Sequence, residues 1–162
     1  MKKLILLFIA IFFSLNITAQ IQRKFIGQEL GVSKFDNVYT SLERKGVFIQ
    51  KISFDTIMLK NTRFGGFLWD RVYFEFSNNI LMAVTFVDKE YNNKQDVEHK
   101  WETLIENLKR KYNSYILSEN NDSISFDDDK TRVMMSKEKY FCLSYTDNVM
   151  FIKLMESEKN EL

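Results

Sequence analysis

The chain is predicted to fold as an α+β domain of two tandem units, each a helix followed by an antiparallel β-meander, with the helices packed on one sheet face. Two amphipathic helix patterns, separated by runs of β-branched and aromatic residues, indicate this class. Similar turn-centred segments recur at corresponding places in the two halves. We therefore place one domain at 20–162, with unit one at about 25–90 and unit two at about 91–158.

Residues 1–19 are predicted to be a cleaved export signal. Two lysines precede an apolar run from Leu4 to Leu15, and the small residue Ala19 stands directly before Gln20. A basic start, a short apolar run and a small residue at the cleavage point are typical of secretory signals, whereas a membrane-spanning helix needs roughly 20 apolar residues. We expect an exported protein, periplasmic or secreted, without a transmembrane span; the alternative is an uncleaved N-terminal anchor.

Composition limits the partners of the mature chain. The sequence has 23 Lys and Arg against 22 Asp and Glu, so loss of the two signal lysines leaves an excess of one acid. A nearly neutral chain has no strong field to attract nucleic acid or an anionic membrane. The single Cys, Cys142, cannot form an internal disulfide, and it lies far from the cleavage point where a lipid anchor would need it. A core rich in aromatic residues must therefore supply the stability; the whole sequence has 15 Phe, 7 Tyr and 2 Trp, of which only Phe8, Phe12 and Phe13 lie in the predicted signal.

Unit one is predicted to begin with a helix at about 33–45. Ser33 and Asp36 form a variant of the capping box, and apolar residues follow at helical spacing up to Leu42. Gly46 follows basic residues, which is typical of a helix C-terminus. Four strands should come next, with Asn78-Asn79 as a two-residue turn between the last two: Val47–Ile52, Thr56–Lys60, Phe67–Phe76 and Ile80–Val87.

Unit two is predicted to begin with a helix at about 93–112. Its apolar stripe runs from Val97 through Trp101 and Leu108, and the opposite side is charged. Asp147-Asn148 resembles the Asn78-Asn79 turn, which makes the last two segments a hairpin. The predicted strands are Ser114–Leu117, Ser123–Phe126, Thr131–Met135, Tyr140–Tyr145 and Val149–Met155.

A two-residue turn at Asn78-Asn79 predicts which side chains oppose one another across the first hairpin. Phe76 then opposes Leu81, Phe74 opposes Ala83 and Val72 opposes Thr85. The same construction in the second hairpin puts Tyr145 opposite Met150, Leu143 opposite Ile152 and Phe141 opposite Leu154. We assign this shared apolar face to the core beneath the helices.

The other face of the first hairpin carries the candidate partner-binding residues. A sheet covered on one side should be polar on the other, yet this side is predicted to hold large aromatic residues around an arginine. Exposed patches of Trp, Tyr and Arg mark binding surfaces in many proteins. The candidate residues are Phe67, Trp69, Arg71, Tyr73 and Phe86. The alternative is that the segment Ile21–Leu30 or unit two covers this face and makes it a second core layer.

No catalytic or metal site is predicted. His99 lies on the charged side of the second helix, and no other His and no nearby Cys could join it as a metal ligand. Cys142 is mid-strand without a neighbouring base. Asp127-Asp128-Asp129 lacks the alternating ligands of a calcium loop, and Gly65-Gly66 lacks the helix that follows a phosphate-binding loop. We therefore expect no cofactor and a protein that is not an enzyme.

The segment Phe25–Ser33 follows the pattern F-x-G-x-x-L-G-x-S, with a helix ending in Lys45-Gly46 after it. This opening resembles that of a group of small exported bacterial proteins, and Phe64–Phe67 with Leu108–Tyr112 is similar to their middle part. More distantly, tandem helix-plus-meander units resemble the β-lactamase-inhibitory-protein-like fold and the outer-membrane assembly lipoprotein domain. That resemblance implies binding of another protein through the sheet face or its edge. The chain departs from the lipid-anchored members because it lacks their Cys.

These observations predict an exported, non-catalytic binding protein that engages another protein, of inhibitor or immunity type, through the aromatic sheet face. A carrier of a small apolar ligand is the first alternative, and an envelope structural or assembly factor is another. A large closed apolar pocket would favour the carrier, whereas a flat open aromatic face would favour the protein binder.

Overall fold

A computed structural model describes residues 20–88, 94–138 and 140–159 and confirms the α+β class. The predicted signal at 1–19 and the predicted junction of the two units near residue 90 lie outside these ranges. The described helices are α1 (Phe35–Arg44), α2 (Lys94–Tyr112) and α3 (Asn148–Lys159), with a 3₁₀ turn at Asn113–Tyr115. The described strands are β1 (Lys24–Phe25), β2 (Gln28–Glu29), β3 (Ile49–Ser53), β4 (Thr56–Phe64), β5 (Phe67–Ser77), β6 (Ile80–Asp88), β7 (Ile116–Glu119), β8 (Ser123–Asp127), β9 (Thr131–Ser136) and β10 (Phe141–Asp147).

Strands β3 to β10 form an eight-stranded antiparallel sheet in the order β3-β4-β5-β6-β10-β9-β8-β7. Two four-stranded meanders therefore meet where β6 pairs with β10. Helix α1 precedes the first meander and α2 precedes the second. The strands β1 and β2 form a separate short hairpin that the sequence pattern did not indicate. That the two helix-plus-meander units are repeats of one another stays a prediction.

The first helix confirms the predicted segment but not its predicted start. Lys34 is the N-cap and makes no side-chain capping bond. The hydroxyl oxygen of Ser33 accepts the N–H of Glu29 instead, at 2.9 Å, so the expected capping box is wrong. The C-terminal signal is correct, because Gly46 has a φ of +66° and its N–H donates to the carbonyl of Glu43 at 2.9 Å.

The turn between β5 and β6 also matches its prediction. Asn78 and Asn79 have φ values of +49° and +66°, the left-handed conformation that asparagine tolerates. Phe76 opposes Leu81 as expected. A register shift between Glu75 and Phe76 then moves the pairing by one residue, so the other two predicted facings are wrong. The observed pairs are Phe74 with Val84 and Val72 with Phe86.

The core lies between the sheet and a layer made of α1, α2 and the N-terminal segment (residues 20–31). We call the side of the sheet toward this layer the covered face. Ile21, Phe25 and Leu30 from the segment are buried in it, as are Val38 and Leu42 from α1. The covered face is apolar across six adjacent strands, and it includes Ile57, Leu59, Val72, Phe74, Val84, Phe86, Ile124, Phe126, Val133, Met135, Phe141, Leu143 and Tyr145.

Strands β4 and β5 change sides together near their shared turn. Ile57 and Leu59 are buried on the covered face, but beyond Asn61, whose φ is +49°, Phe64 also contacts that core despite its even number. The paired strand does the same, because Trp69 and Val72 are both fully buried. Strict alternation therefore fails between residues 69 and 72.

The C-terminal segment is a helix, so the predicted strand Val149–Met155 and its hairpin facings with β10 are wrong. Asp147 sits at the helix N-terminus, where its Oδ1 accepts the N–H of Met150 at 2.9 Å. The side chain of Asn148 donates to Asp127 at 2.6 Å, and its N–H donates to the carbonyl of Lys130 at 2.9 Å. These bonds turn the chain out of the sheet directly after β10.

Candidate functional site

The five candidate partner-binding residues do not share a face. Trp69 and Phe86 are fully buried on the covered face, with ring centroids 5.5 Å apart. Phe67 is half-buried and packs against the same core. Arg71 and Tyr73 lie on the opposite side of the sheet. The open aromatic face is therefore wrong for Trp69 and Phe86, and the predicted alternative holds for them: Phe25 of the segment Ile21–Leu30 packs on Phe86, with ring centroids 6.2 Å apart. Strict alternation fails across the change of sides in β5 and the register shift beside β6.

The side of the sheet away from α1 and α2 is the open face. It holds Arg71, Tyr73 and Glu75 of β5, Thr85 of β6, and Cys142 and Ser144 of β10, and these side chains are half-buried. Met134 of β9 is 47% exposed on the same face. This face mixes hydroxyls, charges and isolated apolar groups, in contrast to the largely apolar covered face.

Hydrogen bonds order the centre of the open face. The guanidinium of Arg71 donates to the hydroxyl of Tyr73 at 3.4 Å. Thr85 donates its hydroxyl proton to Glu75 at 3.1 Å, so it accepts from Ser144, also at 3.1 Å. Residues from three adjacent strands are thus linked in one row. Such a row holds polar groups in fixed positions, which is what recognition of a polar partner surface requires.

Helix α3 lies at one end of the open face. Its residue Leu154 borders a cleft of ≈ 600 Å³ together with Glu75 and Met82, whose side chains are on that face. The other wall includes Phe54, which is 84% exposed at the turn between β3 and β4. Three further apolar side chains of α3 are exposed along one helical stripe: Val149, Ile152 and Met155. The sequence does not reveal this stripe, because Val149–Met155 is apolar at most positions and shows no clear helical period.

The covered side instead holds an internal cation, which comes from α2. The ammonium of Lys100 on α2 lies 3.5 Å from the ring centroid of Trp69 and donates to Asp88 at 2.5 Å and to the carbonyl of Leu68 at 3.1 Å. Burial lowers the pKa of Lys100, while Asp88 acts in the opposite direction. Its long apolar stem lets it reach this position from the edge of the stripe. The aromatic ring therefore already has a cation partner within the chain.

The residues with possible catalytic or metal-binding side chains lie in separate parts of the fold. Cys142 is half-buried on the open face, and burial raises the pKa of its thiol, with the charge of Glu138 acting in the same direction. His99 is exposed on α2. Asp128 accepts the N–H groups of Lys130 and Thr131, so it holds the turn between β8 and β9. Within the described ranges, no three His, Cys, Asp or Glu side chains are grouped closely enough to hold a metal ion.

A second cleft, of ≈ 440 Å³, opens on the covered side between the C-terminal half of α2, the turn after Phe64 and the N-terminal segment. Its floor includes Leu143 and Tyr145 of β10. Sequence patterns do not reveal such a cleft, because its walls come from four separate parts of the chain.

Among the helices of the described residues, none combines the length and the apolar character that a membrane crossing requires. Comparisons with protein-family models, with curated proteins and with solved structures found no significant match to this chain.

Proposed function

We propose that the chain is an exported, non-catalytic binding protein that engages another protein through the open face of its sheet. An inhibitor of an enzyme, or an immunity protein against an exported toxin, is a concrete form of this function. The observation that supports this proposal is the difference between the two faces of the sheet. One face is largely covered by α1, α2 and the N-terminal segment, while the other presents Arg71 and Tyr73 beside a linked row of polar groups.

The chemistry of the open face suits a protein partner. Tyr and Arg are enriched among the residues that contribute most to interfaces, and polar groups held in fixed positions bind without a large loss of side-chain entropy. The exposed apolar stripe of α3 at one end adds surface of the kind that interfaces bury. Of the five partner-binding residues predicted from the sequence, Arg71 and Tyr73 thus remain candidates. Trp69, Phe86 and Phe67 belong to the core instead.

The non-catalytic part of the proposal has separate support. A nucleophilic cysteine needs a thiolate, and the raised pKa of Cys142 disfavours that form. Lys100, the buried ammonium, is engaged by Asp88 and by Trp69 and lies away from the open face. Both groups are better explained by folding than by chemistry on a substrate.

Site-specific photo-crosslinking tests the proposed surface. A photoreactive phenylalanine analogue replaces Tyr73 in one variant and the exposed Glu106 of α2 in a control variant, in cells that export the protein. We expect a discrete crosslinked protein from position 73 but not from position 106, and the yield should fall when Arg71→Glu is added. The same crosslinks from both positions, or none from position 73, would contradict binding through the open face.

Export has its own test, and Ile21, shortly after the predicted cleavage point, is packed into the fold. Ile21 is 2% exposed, and its N–H donates to Asp128 at 2.9 Å. Mass spectrometry of protein recovered from outside the cytoplasm should give the mass of residues 20–162, beginning at Gln20. The mass of the whole chain would instead indicate an uncleaved N-terminal anchor.

A further inference from the structure

The cleft on the covered side has an apolar floor within an otherwise sealed core. Leu104 and Leu108 of α2 form one wall, Phe64 forms another, and Leu143 and Tyr145 of the sheet lie beneath them. All but Phe64 are buried. A volume of ≈ 440 Å³ is within the range that small-molecule sites occupy.

The mouth of the cleft is basic. Arg110 and Lys111, in the last turn of α2, line it and are exposed. Lys109 beside them pairs with Glu119. Within the described part of the chain, no carboxylate is within 4.0 Å of Arg110 or Lys111, and the guanidinium of Arg110 donates to the neutral side chain of Asn107 at 2.8 Å. Among the described residues, therefore, neither cation at the entrance has an acidic partner.

An apolar floor beneath a basic entrance matches a ligand with an apolar body and an anionic head. We propose that this cleft binds a small amphipathic anion, such as a medium-chain carboxylate, with its apolar part against Leu104 and Leu108 and its charge beside Arg110 and Lys111. The site is on the other side of the sheet from the open face, so it goes beyond the proposed protein-binding function and does not depend on it.

Decanoate, kept below its micelle concentration, is the probe, and decanol is the uncharged control with the same chain length. Asn107→Trp places a large side chain at the mouth of the cleft from an exposed position, so it should block entry without disturbing the core. Glu106→Trp adds the same side chain one residue earlier on α2, outside the cleft lining. Unfolding midpoints in urea verify that both variants are folded.

Calorimetric titration should show decanoate binding to wild type and to Glu106→Trp, with at least roughly tenfold weaker binding to Asn107→Trp. Arg110→Gln with Lys111→Gln should weaken it by roughly three- to tenfold, since exposed charges contribute modestly. Binding of anionic-lipid vesicles that Asn107→Trp abolishes would identify a membrane lipid as the source of this chemistry, and decanoate binding without vesicle binding would identify a free amphiphile. The proposal is overturned if decanoate does not bind, if both Trp variants bind it equally, or if decanol binds as tightly.

Discussion

Arg23 and Asp147 form an ion pair, with Nη2 and Oδ2 2.5 Å apart, that joins the N-terminal segment to the junction of β10 and α3. The side chain of Asp147 is 6% exposed and that of Arg23 is 20% exposed. The second oxygen of Asp147 accepts the N–H of Met150, while Arg23 also donates to the carbonyls of Leu30 and Lys130. One carboxylate therefore both starts α3 and holds the segment that covers the sheet.

Removal of one partner from this pair should destabilise the fold strongly. Arg23→Ala leaves the carboxylate of Asp147 largely buried without its cation, which we expect to cost about 3 kcal/mol in the free energy of unfolding, measured in urea. Lys24→Ala is the control, because its pair with Glu29 is exposed and should contribute less than about 1 kcal/mol. Combining Arg23→Ala with Asp147→Ala should cost less than the sum of the two single changes. Equal effects of Arg23→Ala and Lys24→Ala would contradict this role.

Gly31 should be needed for the same pair. A Cβ at Gly31 would lie 2.5 Å from Oδ2 of Asp147 and 2.9 Å from Nη2 of Arg23, and the φ of Gly31 is +73°. Gly46 has a similar φ of +66° but open space around its Cβ position. Each Gly→Ala change should cost about 1 kcal/mol from backbone strain, and Gly31→Ala should cost about 2 kcal/mol more because it displaces the ion pair. Equal losses of unfolding free energy in Gly31→Ala and Gly46→Ala would show that the close approach of Gly31 to the ion pair is unimportant.

Trp69 should be shielded from solvent. Trp101→Phe leaves Trp69 as the only tryptophan, since the chain has two. Because Trp69 is 0% exposed, we expect blue-shifted emission that acrylamide quenches weakly, with strong quenching only after unfolding. Adding Lys100→Met should change the emission without increasing the quenching, because the ammonium lies over the ring and Met retains the apolar stem. Strong quenching in the folded protein would contradict the burial of Trp69 and support the exposed aromatic face that the sequence predicts.

The thiol of Cys142 should react slowly. Burial raises its pKa above the ordinary value of 9.0, so less thiolate is present at pH 8 than in a free cysteine, and alkylation by iodoacetamide should be slower until urea unfolds the chain. A raised pKa in the folded state means that the stabilising contribution is present below pH 9.0 and is lost as pH rises through the folded-state pKa. The stability of wild type relative to Cys142→Ala should therefore fall between pH 7 and pH 10. Rapid alkylation of the folded protein would contradict this environment.

Local patterns were sufficient where a segment's own residues decide its conformation. The stripe from Val97 to Leu108 predicts α2 because helical periodicity is encoded within the segment. Gly46 and Asn78-Asn79 predict their helix end and turn because few residues adopt a positive φ at low cost. The α+β class followed from these elements.

Tertiary structure decided the features that depend on distant partners. Val149–Met155 is apolar at most positions, so periodicity could not distinguish helix from strand, and the contacts of Asp147 and Asn148 with Arg23 and Asp127 accompany the helix. The reversal at Asn61 and the shift beside Glu75 determine the face on which each aromatic residue lies. One residue of register moves a strand's side chains to the opposite face. For that reason the sequence by itself determined α1, α2 and the turn at Asn78-Asn79, while only the tertiary structure decided that the C-terminal segment is a helix, that Trp69 and Phe86 are core and that Arg71 and Tyr73 remain on the open face.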